Sequence, residues 1–395
     1  MIDGARRVRK HSYRAATGTR SLVGKVITSR EELETYACKW NILLEHTSAN
    51  SIFLTWEWIS TWLNVVYPDA ALFVIVVENI NGGLVAVAPF YQTTMSLLGH
   101  IRYKCLRIIG DCESGGEYQD IIVSNEFAQE AIELLGAILW DNRRLWDCIW
   151  LPNVADWTGA SERIAIMAMR CRFLTAHRAH EFSVIRLPGS HAQYIASLNK
   201  KFRYNILRYT KILSEKRQVE CVRCMAREEV GLWTQELFDL HGSRWRSVGQ
   251  EGSFVRRPLM AKFYKSFAPL AFERGWLRIY ALTVDGAKVA MRYGYAYAGI
   301  LCGLQSAFDA NINGGGHILM NMLLEKSIEE KLSAYDFLAG DTDYKSRWGT
   351  QLRAGRSILV GKRAVKTQLL FRSSVWPTGR YIDQGKPANL GRSHD

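Results

Sequence analysis

The sequence is short of acidic residues and of long apolar runs. It holds 38 Asp and Glu against 51 Lys and Arg, which gives a formal net charge of +13. No stretch approaches the roughly 18 uncharged apolar residues of a membrane span. The first 25 residues are basic but lack the apolar run of a secretory signal. We therefore expect a soluble, cytoplasmic protein with a disordered basic tail over 1–25 and a surface that attracts anions.

Cysteine pairs are also scarce. The chain has eight cysteines, and only Cys221 and Cys224 stand at C-x-x-C spacing. A zinc ribbon needs a second such pair, and the stretch around these two reads as a strand. The sequence therefore predicts no metal site, and without a secretory signal the cysteines should stay reduced.

What the chain does contain is a repeated β-hairpin pattern. A length of 395 residues suggests two domains. Two β-rich pairs of runs are joined at Asn81-Gly82-Gly83 and at Asp285-Gly286, and a Trp-containing helical stretch precedes each pair. This spacing indicates an internal duplication with a boundary near Pro188-Gly189. We predict an N-terminal domain over 26–185, a second over 186–365 and a C-terminal tail over 366–395.

A glycine run in the second domain is the most informative local feature. Gly314, Gly315 and Gly316 follow the predicted strand "ILCGLQSAF" and directly precede a helix. Backbone N–H groups at such a helix start can bind phosphate, although three glycines can equally be a tight turn. The motif is neither a P-loop nor the dinucleotide-binding fingerprint.

The order of elements resembles the GNAT acyltransferases. The stretches "LHGSRW", "LTVDGAKVAMRYGY", "GLQSAFD", "GGGHILMNMLLEKSI" and "YDFLAGDTDYKSRWG" resemble their CelD/BcsL-like branch, associated with cellulose and exopolysaccharide synthesis. "FLTWEWISTW" and "VAVAPFYQ" extend the resemblance to roughly 26–362. It implies an α/β (α+β) protein built from two GNAT-like acyl-CoA N-acyltransferase folds in tandem, each a mixed, mostly antiparallel sheet flanked by helices.

The resemblance also implies acetyl-CoA or another acyl-CoA as co-substrate. The family holds the CoA pyrophosphate on a Gln/Arg-x-x-Gly-x-Gly/Ala turn, which aligns with Asn311, Gly314 and Gly316, so that Asn311 departs from the usual Gln or Arg. The cofactor-binding residues that we predict are Asn311, Gly314, Gly315, Gly316 and His317.

Direct acyl transfer needs a base for the acceptor and an acid for the leaving thiolate. The predicted catalytic residues are Asp336, Asp341, His241 and Tyr344. Asp336 alternates with aromatic residues on a strand, which favours a raised carboxyl pKa, but an ion pair with Lys345 or Arg347 is the alternative. The predicted substrate-binding residues are Arg244, Trp245, Tyr293, Asp309, Lys345, Arg347 and Trp348. Tyr293 and Tyr344 could act as acids or pack in the core, and His241 could be structural.

Three functions remain open. The first is N- or O-acetyl transfer to a small-molecule, saccharide or cell-envelope acceptor, with possible peripheral contact to a membrane-bound polysaccharide synthesis machinery at the inner face of the membrane. The second is a Fem-like transferase that uses aminoacyl-tRNA, although no long coiled-coil arm is present. The third is a non-catalytic accessory protein. The basic helix over 200–217 is either a solvated face or a track for an anionic acceptor such as a lipid-linked sugar or tRNA.

Overall fold

The computed structural model describes residues 12–17, 20–97, 100–111, 114–340 and 343–372. The strands, numbered in chain order, are β1 Tyr13–Thr17, β2 Arg20–Ile27, β3 Ala71–Asn79, β4 Leu84–Leu97, β5 Ile101–Ile108, β6 Ile122–Val123, β7 Cys148–Ala155, β8 Leu174–Arg186, β9 Val219–Arg223, β10 Leu277–Val284, β11 Ala287–Tyr297, β12 Ile300–Phe308, β13 Ala334–Ala339 and β14 Gln351–Gly361.

The helices are α1 Arg30–Glu34, α2 Ala37–Glu45, α3 Trp56–Val65, α4 Ala128–Asp141, α5 Ala160–Arg170, α6 His191–Ser197, α7 Lys200–Ser214, α8 Val230–Ser247, α9 Ser253–Arg256, α10 Pro258–Glu273, α11 Gly315–Glu329, α12 Asp343–Ser346 and α13 Val365–Arg372. No helix in the described ranges is both long and apolar enough to cross a membrane.

The chain divides into two compact units. The first comprises Met1–Cys112, Gly116–His180 and Ala354–Asp395, and the second Glu113–Gly115 and Glu181–Arg353. Both contain a mixed, mostly antiparallel sheet flanked by helices, which confirms the predicted α/β class.

In the first unit the strand order is β1-β2-β3-β4-β5-β7-β14, with β6 paired to β4. Among the described strand pairs of this unit, β5 and β7 alone run parallel. The predicted hairpin is β3 and β4, and Gly82 takes the positive φ of 75° that its turn requires. Helix α4 packs on the strands at the N-terminal edge, where Gly24 leaves room for Leu134 and Ile138.

In the second unit the order is β8-β13-β12-β11-β10-β9, with residues 181–186 of β8 paired to β13. Within the described part of this unit, only β12 and β13 run parallel. The second predicted hairpin is β10 and β11, and Asp285 and Gly286 both have positive φ at its turn. Helices α6, α7 and α11 share an apolar core with one side of this sheet.

Two predicted boundaries differ from the structure. The basic segment over 1–25 is not all tail, because β1 and β2 form a hairpin that continues onto β3. The tail was predicted from the charges of this segment, but β2 is an amphipathic strand in which Leu22 and Val26 are buried. At the other end, β14 pairs with β7 from Gly355 onward, so the last strand that we placed in the second domain belongs to the first unit. Helix α13 begins where we predicted the C-terminal tail, and residues 373–395 lie outside the described ranges.

Candidate functional site

The two parallel strands of the second unit separate after a short contact. Strands β12 and β13 pair at Ile300 with Ala334, Leu301 with Tyr335, and Cys302 with Asp336. Beyond that point β12 continues for six residues and β13 for three without pairing to each other. The result is a V-shaped opening in the sheet, with Asp336 at its apex and unpaired backbone groups of β12 along one side.

The open side of β12 leads into the glycine turn. Gly314 is the N-cap residue of α11 with φ of 75°, a conformation that favours glycine. Gly315 N–H donates to Ile312 O at 3.0 Å, whereas none of the backbone hydrogen bonds of the turn uses the Gly316 N–H. A helix start with a free N–H group and no side chain at Gly316 suits a phosphate group.

Asp309 and Asn311 build this turn. One Asp309 carboxylate oxygen accepts from both the Asn311 backbone N–H and its side-chain amide, each at 2.9 Å. This is an Asx turn, in which an Asp side chain holds the backbone two residues on. The Asn311 amide is therefore engaged within the turn, whereas a Gln or Arg at this position would reach further out.

Arg244 approaches the same turn from α8. Its guanidinium carbon lies 4.0 Å from the centre of the Phe308 ring and 5.4 Å from that of Trp245. The Phe308 ring is also the nearest side chain to Gly316. Arg244 thus places a positive charge one aromatic ring away from the helix start, as expected for a residue that binds an anion.

A buried arginine lies on the other side of the opening. Arg292 of β11 is 9% exposed and donates to the hydroxyls of Tyr335, at 3.2 Å, and Tyr344. Among the described residues it makes no ion pair, and its Nε has no hydrogen-bond partner. Burial lowers the pKa of this guanidinium, but the two tyrosines outweigh burial and the net shift is upward.

The Tyr335 side chain packs against β12 at Gly303. A side chain at Gly303 of β12 would place its Cβ 2.0 Å from the Tyr335 hydroxyl oxygen, so this close approach requires glycine. Burial raises the pKa of Tyr335. The phenol and Arg292 therefore occupy the inner part of the opening as a fixed polar pair.

His317 and Trp348 surround Tyr344. The His317 ring centre lies 5.6 Å from that of Tyr344 and 5.8 Å from that of Trp348, and Phe202 contacts both His317 and Trp348. Burial, then the charges of Arg292 and Arg347, lower the pKa of His317. Trp348 is 0% exposed, so we move it from the predicted substrate contacts to the core. Arg347 is exposed.

Lys345 holds the end of β13 together. Its ammonium donates to the carbonyls of Phe337 at 3.1 Å, Leu338 at 3.3 Å, Ala339 at 2.9 Å and Gly340. This stretch contains a β-bulge, and Leu338 has a φ of 64°. Asp336 braces the same bulge by accepting from Leu338 N–H at 2.8 Å. Lys345, predicted to bind substrate, is a structural residue here.

His241 and Tyr293 lie away from this group. His241 Nε2 accepts from Trp245 Nε1 at 3.0 Å, and burial, followed by Arg244 and Arg256, lowers the pKa of His241 to about 4. Its basic nitrogen is therefore occupied, which disfavours a role as general base, and Trp245 is its donor rather than a free substrate contact. Tyr293 is stacked on Tyr264 at 5.0 Å, and burial raises its pKa. Asp341 lies outside the described residues.

Of the predicted residues, Tyr344, His317 and the glycine turn thus come together, with Arg244 nearby. Asp336 alternates with Tyr335 and Phe337 on β13, and its side chain bonds to the backbone of the bulge. Arg292 and Tyr335 were not predicted from the sequence. A signal for Arg292 was present, because it stands two residues after the buried Ala290 on the same face of the strand, and a charge at such a position calls for an explanation.

Residues 200–346 match the family model of the acetyltransferase (GNAT) domain. The opening, the glycine turn and the polar cluster all lie within the matched residues. The match and the fold around it support a transferase enzyme of the acyltransferase type. No curated protein gives a significant match to the chain as a whole.

Solved structures with the same fold cover most of the chain. FemX is 11% identical with a TM-score of 0.57, over 82% of this chain and 95% of that one. A conserved protein of unknown function from Bacteroides thetaiotaomicron is 12% identical with a TM-score of 0.51, over 83% and 97%. A tandem GNAT protein from the clavulanic acid biosynthesis pathway is 11% identical with a TM-score of 0.45, over 86% and 97%. At these identities the similarity to the first two concerns the fold alone.

Proposed function

We propose that the second unit transfers an acyl group from acetyl-CoA or a longer acyl-CoA directly to a nitrogen or oxygen of a saccharide or cell-envelope acceptor. The observation that carries the proposal is the opening between β12 and β13, which runs without a break into the glycine turn of α11. An extended pantetheine chain can pair with the free edge of β12 while the pyrophosphate lies at the helix start. The polysaccharide-related acceptor rests on the resemblance to the CelD/BcsL-like branch.

Tyr344 is the proposed acid. Its hydroxyl oxygen accepts a hydrogen bond from Arg292, which leaves its own hydrogen for a leaving thiolate. The guanidinium would then stabilise the phenolate that proton donation creates. No charge has to move into the site, because Arg292 is already buried there.

Asp336 is the proposed base, since it lies at the apex of the opening. Asp336→Asn keeps an oxygen for Leu338 N–H and removes the basic group. This variant should bind acetyl-CoA normally and lose turnover in a steady-state assay. Unchanged turnover would exclude Asp336 as the base.

Calorimetric titration of acetyl-CoA and CoA tests the donor site. Gly316→Asp adds a carboxylate that favours a helix start but repels phosphate, and Gly316→Ala adds the same Cβ without charge. We expect at least about a tenfold weaker Kd in the Asp variant, from like-charge repulsion at short range, and a much smaller change in the Ala variant. If the wild type binds neither acetyl-CoA nor a panel of longer acyl-CoAs, the proposal is wrong.

A Fem-like transferase is the second candidate, favoured by the shared fold with FemX over most of both chains. A tRNA gel shift at several salt concentrations discriminates between the two, because neutralising many phosphates gives a steep salt dependence. A non-catalytic accessory role would be favoured by a Gly316→Asp protein that loses CoA binding but keeps its role in the cell.

The solvent face of α7 supports contact with an anionic membrane surface. It combines cations with partly exposed apolar side chains, namely Lys200, Lys201, Arg208, Lys211, Tyr204, Leu207 and Ile212. Such a face binds acidic headgroups and inserts shallowly. Lys200→Glu/Lys201→Glu should reduce sedimentation with phosphatidylserine vesicles but not acyl-CoA binding; equal sedimentation of both proteins would exclude this contact.

A further inference from the structure

The first unit contains a cationic groove that the acyl-transfer site does not use. Its volume is about 790 Å³, and eight of its lining side chains are Lys or Arg while only Asp147 is acidic. The lining comes from β4, β5, α4, the segments 143–147 and 172–173, and the segment from 362 to 366, all within the first unit. A ligand-sized cavity with this charge balance is unusual for a surface that only faces water.

The single carboxylate is already fully engaged. Asp147 pairs with Lys362 at 3.3 Å and Lys366 at 3.0 Å, and accepts from Lys104 N–H at 3.0 Å. Burial opposes a charged Asp147, but these donors lower its pKa overall. The other six lining cations make no ion pair with any described residue.

Several of the cations are held in place. The Arg143 guanidinium carbon lies 4.3 Å from the centre of the Trp140 ring, and Arg143 Nη1 donates to the Trp140 carbonyl at 2.8 Å. Arg363 Nε donates to the Arg172 carbonyl at 3.0 Å. These contacts fix cations within one groove, where the mutual repulsion of like charges costs free energy unless an anion offsets it. Trp140, 40% exposed, adds an apolar surface beside the charges.

We propose that this groove binds the pyrophosphate group of a ligand with an apolar or aromatic body, either a nucleoside diphosphate or a lipid-linked diphosphate. Two adjacent phosphates carry enough charge to engage several guanidinium and ammonium groups at once, and Arg binds phosphate oxygens in pairs. The volume is within the range of ligand pockets. The site is independent of the acyl-CoA site, since all its residues are in the first unit.

The test is calorimetric titration of the full chain with inorganic pyrophosphate, ADP and farnesyl diphosphate. Arg102→Glu/Arg144→Glu reverses two exposed lining cations whose side chains bond to no described residue. Lys200→Glu/Lys201→Glu changes the net charge equally on a helix of the other unit. We expect the first variant to weaken binding at least about tenfold and the second about threefold or less, because short-range pairing is stronger than the screened field of the whole protein.

Gly316→Asp separates this site from the acyl-CoA turn. Pyrophosphate binding that persists in Gly316→Asp and is lost in Arg102→Glu/Arg144→Glu supports the groove. Pyrophosphate binding that is lost in Gly316→Asp and persists in Arg102→Glu/Arg144→Glu overturns the proposal. An equal loss in both double variants, or no binding of any of the three probes, also overturns it. Tighter binding of ADP or of farnesyl diphosphate identifies the soluble or the lipid source. Binding of tRNA alone, with none of the three diphosphates, would also overturn the proposal.

Discussion

The two units share a strand order but differ at the point where their two parallel strands separate. In both, a parallel strand pair separates after a few residues, β5 from β7 and β12 from β13. In the second unit, residues 309–314 lead straight into α11, and the opening keeps a free strand edge. In the first, β5 ends at Ile108 and α4 begins only at Ala128, so the path between them is much longer.

Side chains hold that longer path in the first unit. Arg107 pairs with Asp111 at 2.5 Å, both buried, and Tyr91 donates to Asp111 at 3.0 Å. Trp58 and Trp62 of α3 donate to the carbonyls of Gly110 and Asp111. In the first unit this position is occupied by internal hydrogen bonds and an ion pair, whereas in the second β12 keeps an edge that is not paired to β13.

The largest expected effect comes from the buried pair in the first unit. Asp111→Ala removes the carboxylate that Arg107 contacts in the interior, and breaking such a pair costs about 3–5 kcal/mol of unfolding free energy. The matched change in the second unit, Asp309→Ala, removes an Asx turn at a partly exposed position and should cost about 1 kcal/mol. Urea denaturation measures both. Equal losses of unfolding free energy would contradict the contrast between the first unit, where internal bonds occupy this position, and the second, where β12 keeps a free edge.

Helix α8 of the second unit contains a histidine, His241, that should make the stability of the fold depend on pH. Where α3 has Trp58 and Trp62, α8 has His241 and Trp245 at the same spacing. The folded pKa of His241, about 4, is below its unfolded value near 6.5. The unfolded chain therefore binds the proton first, and about 3 kcal/mol of stability, present above pH 6.5, is lost as pH falls towards 4.

His241→Asn should flatten this part of the pH dependence, measured as urea midpoints between pH 7 and pH 4. If His241 were instead the catalytic base, the variant would lose kcat at neutral pH with an unchanged stability profile. That result would return His241 to the site.

Tyr344→Phe tests whether the second unit is catalytic. Loss of a general acid lowers turnover about 10²-fold or more, whereas the Kd for acyl-CoA should not change. Tyr335→Phe is the matched control, because Tyr335 also accepts from Arg292 but lies beneath Gly303. A similar loss of kcat in both variants would mean that the tyrosines only position Arg292.

The hairpins, the glycine turn and the order of elements were readable from the sequence because each depends on local chemistry, such as Asp285-Gly286 at positive φ. The roles of Lys345 and Trp348 were not, since a lysine that caps four carbonyls and one that binds substrate have the same pattern in sequence. The cationic groove escaped for a different reason. Its residues, such as Arg102, Arg172 and Lys366, are far apart in the chain and converge only in the folded unit.

The smallest of these effects distinguishes the two roles of Lys345. Lys345→Met keeps most of the unbranched side chain but leaves the carbonyls at the end of β13 without their donor, which should cost about 2 kcal/mol of unfolding free energy. Arg347→Met, an exposed change two residues away, should cost about 0.5 kcal/mol or less. Because the bulge carries Asp336, the Lys345 variant should also lose kcat. An unchanged urea midpoint together with a raised KM for the acceptor would instead make Lys345 the substrate contact that the sequence predicted, and the strand end would then be held by other bonds.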